Sequence, residues 1–176
     1  MKLKVGEDCY TIVKADVSDI NTVLKLLVHA AKWLQTKNTS QWDYYLTDLE
    51  GNTEEVRESI MEENTFLIYC EEQAIATITL EGTPNEWDRD IWQDEVEEQN
   101  VMYIHRIVVH RDYSGKGIGS NLLKWAEDKA RVAGKKKVRF DCLHNNKNLN
   151  NYYKQYYSLK GIARIYGKHS KFEKIL

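Results

Sequence analysis

A chain of 176 residues is long enough to bury one substantial core, and 42% hydrophobic with 30% charged residues is an ordinary globular composition. A formal net charge of -2 gives no general attraction for nucleic acid, and no apolar run approaches the ~18–20 residues that cross a bilayer. The opening residues, Met1 to Asp8, carry no apolar stretch of the signal-peptide kind. Cys9, Cys70 and Cys142 form neither a C-x-x-C pair nor an even framework, and each sits among strand-like residues. The expectation is buried free thiols in a reducing compartment, hence a cytoplasmic protein.

In chain order, Tyr10–Lys14 reads as a first strand. Asp16 and Ser18 compete to cap a long helix on which Ile20, Val23, Leu24, Leu27, Ala30, Ala31 and Leu34 recur at three- and four-residue steps. A second helix is expected to start near Asn52 or Thr53, with Val56 and Ile60 on its inner face. Phe66–Cys70 and Ala74–Leu80 alternate around the polar turn Glu71–Gln73 and predict an antiparallel hairpin. Thr83–Gln99 is polar, acidic and tryptophan-bearing, with a short helix near Trp87–Trp92. A strand at Tyr103–Val109, a glycine-rich turn, a helix at 117–133 ended by Gly134, and a strand at Lys137–Leu143 form one crossover. A short helix over Asn148–Tyr157 and strands at Ile162–Tyr166 and Phe172–Leu176 close the chain. The pattern predicts a single domain over residues 1–176, of mixed α/β (α+β) class. Its mixed, twisted sheet has about six or seven strands with helices on both faces.

The run Val109–His–Arg–Asp–Tyr–Ser–Gly–Lys–Gly–Ile–Gly119 is the most informative part of the chain. A strand that enters a glycine turn and then a helix leaves backbone N–H groups unpaired at the helix N-terminus. The helix dipole reinforces them, so phosphate oxygens are favoured there. Gly115, Gly117 and Gly119 allow positive φ and close approach. The run is not a P-loop, because Lys116 precedes Gly117 rather than closing a G-x-x-x-x-G-K-S/T pattern, and its spacing does not fit the dinucleotide fingerprint. A ligand-free strand-to-helix turn is the plain alternative.

The segment Ile107 to Leu123 resembles the cofactor-binding signature of the GCN5-related N-acetyltransferases (GNAT), whose Q/R-x-x-G-x-G/A pattern sets over Ser114–Gly119. The resemblance runs from about Tyr10 to Tyr157 and implies the GNAT fold. It further implies that acetyl-CoA is the cofactor, with its pyrophosphate on Ser114, Gly115, Lys116, Gly117, Ile118, Gly119 and Ser120 and its pantetheine arm beside Ile107, Val108 and Val109. Ser114 departs from the family's Gln or Arg, and Lys116 or Arg111 offers compensating charge. Farther on, Asn146, Leu149 and Tyr153 resemble the family's N-x-x-A/L-x-x-x-Y segment. By that resemblance Asn146 contacts the pantetheine arm, and Tyr153 contacts the cofactor and is the general acid. Tyr152, Tyr156 and Tyr157 surround it, so a packing role is the competing reading. The family's usual Gly–Phe close is replaced by Tyr157–Ser–Leu–Lys–Gly–Ile162.

An acceptor amine must lose a proton before it attacks a thioester. The strand before the turn carries no carboxylate, and His105 is its one residue suited to act as base. By alternation His105 shares a face with Tyr103, Ile107 and Val109. A packed core histidine is an equal alternative, and Glu81 is a further candidate base. Trp33, Gln41, Trp42, Tyr44, Tyr45, Trp87 and Trp92 are candidate acceptor walls. The acidic residues Asp94, Glu95, Glu97 and Glu98 either attract a cation or form a solvated loop. The leading reading is an acetyl-CoA-dependent N-acetyltransferase that acts on a primary amine by direct attack in a ternary complex, with no metal. Its acceptor is a small-molecule or peptide amine, with neither nucleic acid nor membrane as partner and a homodimer as an allowed assembly. The runner-up is a non-catalytic acyl-CoA-binding or sensor module on the same fold, and a third reading is a phosphate-binding module for another nucleotide.

Overall fold

Alternating apolar residues pair the front of the chain into antiparallel ladders. A computed structural model describes residues 1–176. Its strands are β1 (Lys2–Val5), β2 (Asp8–Lys14), β3 (Thr65–Cys70), β4 (Gln73–Glu81), β5 (Val101–Val109), β6 (Lys137–Leu143), β7 (Ser158–Ala163) and β8 (His169–Ile175). They form an eight-stranded mixed sheet in the order β1-β2-β3-β4-β5-β6-β8-β7, in which β5 and β6 run parallel. The added strand is β1, whose Leu3 is buried opposite Tyr10. The closing hairpin begins earlier than the sequence suggests, at Ser158 rather than Ile162, with a register irregularity between Leu159 and Gly161. No helix is long and apolar enough to cross a membrane.

Two compact units make up the chain: Met1–Thr79 with Arg106–Trp125, and Leu80–His105 with Ala126–Leu176. In the first, α1 (Ile20–Gln35) presents Val23, Leu24, Leu27, Ala30 and Ala31 to the core, the stripe read from its spacing. Asp16 wins the capping competition. It accepts from Ser18 N and forms a reciprocal capping box with Asp19 on a 3-10 turn (Val17–Asp19) that leads into α1. A short helix α2 (Tyr44–Thr47) contributes the buried Tyr45. Helix α3 (Leu49–Met61) starts earlier than Asn52, because Asp48 caps it by accepting from Gly51 N at 3.0 Å. Leu67 joins this helical core, whereas its strand neighbour Phe66 meets Trp125 edge-on at 5.0 Å. The period-two alternation of β3 thus supplies both faces.

In the second unit, α4 (Glu86–Trp92) packs Ile91 and Trp92 against Val101 and Tyr103 of β5 and against Ala163. On the opposite face of β6, Phe140 contacts Tyr153, Tyr157 and Phe172. Tyr153 belongs to α6 (Lys147–Tyr153), a shorter helix than the expected 148–157. Arg139 is 1% exposed. Its Nε donates to Glu173 at 2.8 Å, one terminal nitrogen donates to the Glu95 carbonyl at 2.7 Å, and the other pairs with Glu98. The guanidinium lies 4.5 Å over the Trp92 ring. Lys137 also pairs with Glu98, and Lys171 with Glu95. Glu95 and Glu98 of the acidic loop are therefore counter-ions to buried and half-buried cations of the sheet, not a freely solvated run. The cysteines divide as well: Cys9 is exposed, Cys70 half-buried and Cys142 buried, so only one matches the expectation of a core thiol.

Candidate active site

The glycine turn belongs to the first unit. After β5, His110 N donates to the Ile75 carbonyl at 2.7 Å, and His110 Nδ1 accepts from Asp112 N at 3.3 Å, capping a 3-10 turn (Arg111–Tyr113). Ser114 is extended, and its N–H returns to the Arg111 carbonyl at 3.0 Å. Gly115 and Gly117 both have φ of 78°. The Gly117 carbonyl is the first acceptor of α5 (Ile118–Val132). It takes Asn121 N, Asn121 Nδ2 and Ser120 Oγ at 3.2, 2.8 and 3.0 Å. Three donors on one carbonyl hold the turn in register with the helix, whose first N–H groups lack intrahelical acceptors. Gly119 lies inside α5 without a positive φ, so two of the three glycines carry the conformational demand. A Cβ built at Gly115 would meet nothing within 4 Å. Open space, positive φ and a helix start with unpaired amides together suit a diphosphate.

Ile107 and Val109 are half-buried, while Val108 enters the α1–α3 core. Arg106 explains this, since its φ of 49° places a left-handed residue in mid-strand and resets the alternation. The face predicted to run from Tyr103 through His105 to Ile107 and Val109 is therefore interrupted. Of the two cations expected to offset Ser114, Lys116 lies 4.9 Å over the Tyr113 ring and Arg111 stacks 3.6 Å over Trp33. Trp33 is thus covered by a cation, and Tyr45 is core.

Gly117→Val is expected to weaken acetyl-CoA binding about ten- to a hundredfold. A β-branched residue at this φ costs ~1–3 kcal/mol, at ~1.4 kcal/mol per tenfold. Titration calorimetry checks this; unchanged affinity would mean that the turn does not hold the cofactor.

Three titratable groups converge in the second unit. His105 Nε2 is 3.1 Å from Asp88 Oδ2 and 3.6 Å from Glu81 Oε2, and both carboxylates are buried. Asn85 organises them: its Nδ2 donates to Glu81 at 2.8 Å, its backbone N–H donates to Asp88 at 3.2 Å, and its Oδ1 accepts from Asp88 N at 2.9 Å. The last two are the capping box of α4. The ligand atoms of Glu81, Asp88 and His105 lie within 4.8 Å of one another, a set able to hold a proton or a divalent cation. His105 and Glu81 were each legible as candidate bases. Asp88 was not, although Asn85-x-x-Asp88 ahead of an apolar Ile91–Trp92 pair is a helix-start signal that could have placed it.

Elsewhere in this unit Asn146 caps α6, its Oδ1 accepting from Leu149 N at 3.3 Å. Asn150, a turn later, donates to the carbonyls of Leu143 and Asn146 at 2.9 Å each and ties the helix start to the end of β6. Tyr153 is buried against Phe140 and Phe172, and burial, with the nearby Cys142 sulfur second, pushes its phenol well above the ordinary tyrosine value. Burial also raises the Cys142 thiol to about 12. Tyr157 donates to Glu127 at 2.7 Å and is packing, while Tyr156 is exposed. Trp87 stacks on Tyr166 and donates to Asp141 at 2.9 Å.

The acetyltransferase (GNAT) family model matches residues 28–157. The chain belongs to the GNAT family. GNAT membership makes it an acetyl-CoA-dependent N-acetyltransferase, which displaces the reading as a module for another nucleotide. It is 30% identical over 148 residues to the uncharacterized N-acetyltransferase YesJ of Bacillus subtilis (strain 168), covering 84% of this chain and 81% of that one. Among solved structures, a GNAT-family acetyltransferase of Listeria monocytogenes 4b F2365 superposes with TM-score 0.82 at 24% identity, covering 100% of both chains. The PaiA N-acetyltransferase of Thermoplasma acidophilum, solved in complex with coenzyme A, gives 0.72 at 18% identity, covering 95% of this chain and 99% of that one.

Proposed function

We propose that this GNAT enzyme acetylates a primary amine, carried by a small molecule or a peptide, by direct attack on the thioester in a ternary complex. The observation that carries the proposal is His105 held between two buried carboxylates. The negative charge of Glu81 and Asp88 favours an incoming ammonium and stabilises the imidazolium that forms when His105 takes its proton. The glycine turn and the amides of Ile107–Val109 hold the donor, and one of those strand N–H groups is the oxyanion partner. Asn146, fixed by its own cap, contacts the pantetheine arm. Tyr153 donates to the departing sulfur. Its raised pKa keeps the phenol protonated across the working range, which suits an acid and not a base. Cys142 supports direct transfer: a thiol held near 12 is a poor nucleophile at neutral pH, so an acyl-cysteine route is disfavoured. Exposed, unpaired Cys9 suits a reducing, cytoplasmic setting.

Following free-thiol release from acetyl-CoA against a panel of amines tests the activity and narrows the acceptor. In that assay Tyr153→Phe is expected to lower turnover about 10²-fold, the low end for general acid catalysis because a thiolate leaves with modest help. Acetyl-CoA affinity should stay nearly intact. Equal loss of both would argue that Tyr153 only packs.

A further inference from the structure

A cleft of about 500 Å³ lies in the first unit beside the chemistry above, touching it only through His110, which also caps the turn before Ser114. Its polar walls are Thr22, Lys25 and His29 of α1, Tyr69 at the end of β3, Glu72 and Gln73 at the turn into β4, and His110 beyond β5. The two imidazoles are stacked face to face, with centroids 4.0 Å apart and planes 14° from parallel. Each is already committed on one edge. His110 Nδ1 accepts from Asp112 N at 3.3 Å, and His29 Nε2 faces Arg111 N at 3.5 Å. Stacked rings at this distance tolerate one positive charge poorly and two worse, unless an anion compensates.

The charges around them lean positive. Lys25 and Lys32 come from α1 and Arg111 from the 3-10 turn, against Asp112 on that turn and Glu72 beside β4. Asp112 Oδ2 is 3.7 Å from His110 Nδ1, a contact on the already committed edge. The phenol of Tyr69 and the amide of Gln73 add neutral polar groups. Gln73 is itself engaged by Tyr113, whose hydroxyl donates to it at 3.2 Å. Burial, then the charges of His110, Arg111 and Lys32, lower the His29 pKa, while Asp112 opposes them. The pair therefore gains most from a negative partner.

We infer that this cleft is a binding site for a small oxyanion, a phosphate or carboxylate group, held by Lys25 and by the His29–His110 pair. Binding is linked to proton uptake by the pair. An anion seated on Lys25 offsets the charge that burial and the neighbouring cations resist, so His29 takes up a proton on Nε2 as the anion binds, giving up the 3.5 Å bond it accepts from Arg111 N. Affinity then rises as pH falls. The lining residues of the cleft lie outside Ser114–Ser120.

The test uses the full chain saturated with coenzyme A, so that the glycine turn is occupied and cannot supply the signal. Inorganic phosphate and succinate are titrated calorimetrically at pH 5.5 and 7.5. The expected result is binding of at least one of them, tighter at pH 5.5 by up to the about hundredfold that linkage of a single proton allows over two pH units, once the ionisation of the ligand itself is subtracted. His29→Gln should abolish that pH dependence, and Lys25→Gln should weaken binding severalfold at both pH values, with acetyl transfer unchanged in each. Imidazole NMR titration of the unmodified protein is the second readout, in which saturating anion moves the His29 midpoint upward. Tighter phosphate assigns a phosphoryl ligand, and tighter succinate assigns a carboxylate. No binding of either below ~10 mM, an affinity independent of pH, or unmoved imidazole midpoints would overturn the proposal.

Discussion

Replacing His105 with glutamine is expected to lower kcat for amine acetylation by about 10²–10⁴-fold, the range for removing a positioned general base. Affinity for acetyl-CoA should not change. Glutamine keeps a hydrogen-bonding group near Asp88 Oδ2, which His105 Nε2 reaches at 3.1 Å, but cannot take a proton. Asp88→Asn provides the companion measurement. With His105 as the proposed base, Asp88 acts through the imidazole it contacts at 3.1 Å, as a positioning residue. Its loss should reduce kcat less than that of His105 and shift the limb of the pH–rate profile that reports the base. Because Asp88 also closes the α4 capping box, thermal unfolding of both variants separates a lost cap, worth ~0.5–2 kcal/mol, from a lost base. A His105→Gln enzyme with normal turnover would move the proton-accepting role to Glu81 or to water.

Arg139→Ala is expected to destabilise the protein by about 3–5 kcal/mol, the scale for removing one partner of a buried ion pair. For a domain of this size that lowers Tm by roughly 6–20 °C, at ~2–4 °C per kcal/mol. The reason is what stays behind: Glu173 is 5% exposed and loses the 2.8 Å partner on its Oε2, the Glu95 carbonyl loses its donor, and Trp92 loses the plane stacked on it. Arg139→Met fills the space but leaves Glu173 only the longer contacts of its Oε1 with Lys137 at 3.6 Å and Lys160 at 3.8 Å, so it should recover only part of the loss. Adding Glu173→Gln to Arg139→Met should then restore stability beyond the sum of the single effects. Scanning calorimetry on the four proteins checks this; strict additivity would show that the pair is not coupled.

Much of the fold was legible because its signals are local and periodic. The α1 stripe, the hairpin around Glu71 and the strand Lys137–Leu143 follow from spacing alone, and β6 has those same ends. What failed to show in the sequence depends on one residue overriding a period or on partners far apart in the chain. Arg106 looks like any strand residue, yet its left-handed backbone splits the face on which His105 was placed. Asp48 displaced Asn52 and Thr53 as the cap of α3, a choice among several adjacent polar residues that propensity cannot rank. The acidic stretch Asp94–Glu98 reads as solvated, because its counter-ions Lys137, Arg139 and Lys171 lie more than a strand away in sequence. At the site, the glycine turn and the Asn146 cap were visible as motifs. The Glu81–Asp88–His105 group assembles from β4, α4 and β5, and its third member was visible only as a helix-start residue.

The exposed sulfur of Cys9 bears on how the reaction is followed. A disulfide dye that colours with released coenzyme A also meets this side chain, so each enzyme molecule contributes a stoichiometric flash before any amine is added, while the sequestered Cys142 stays dark. Working with Cys9→Ser removes its share of that offset, leaving only what half-buried Cys70 adds, and the slope alone reports catalysis.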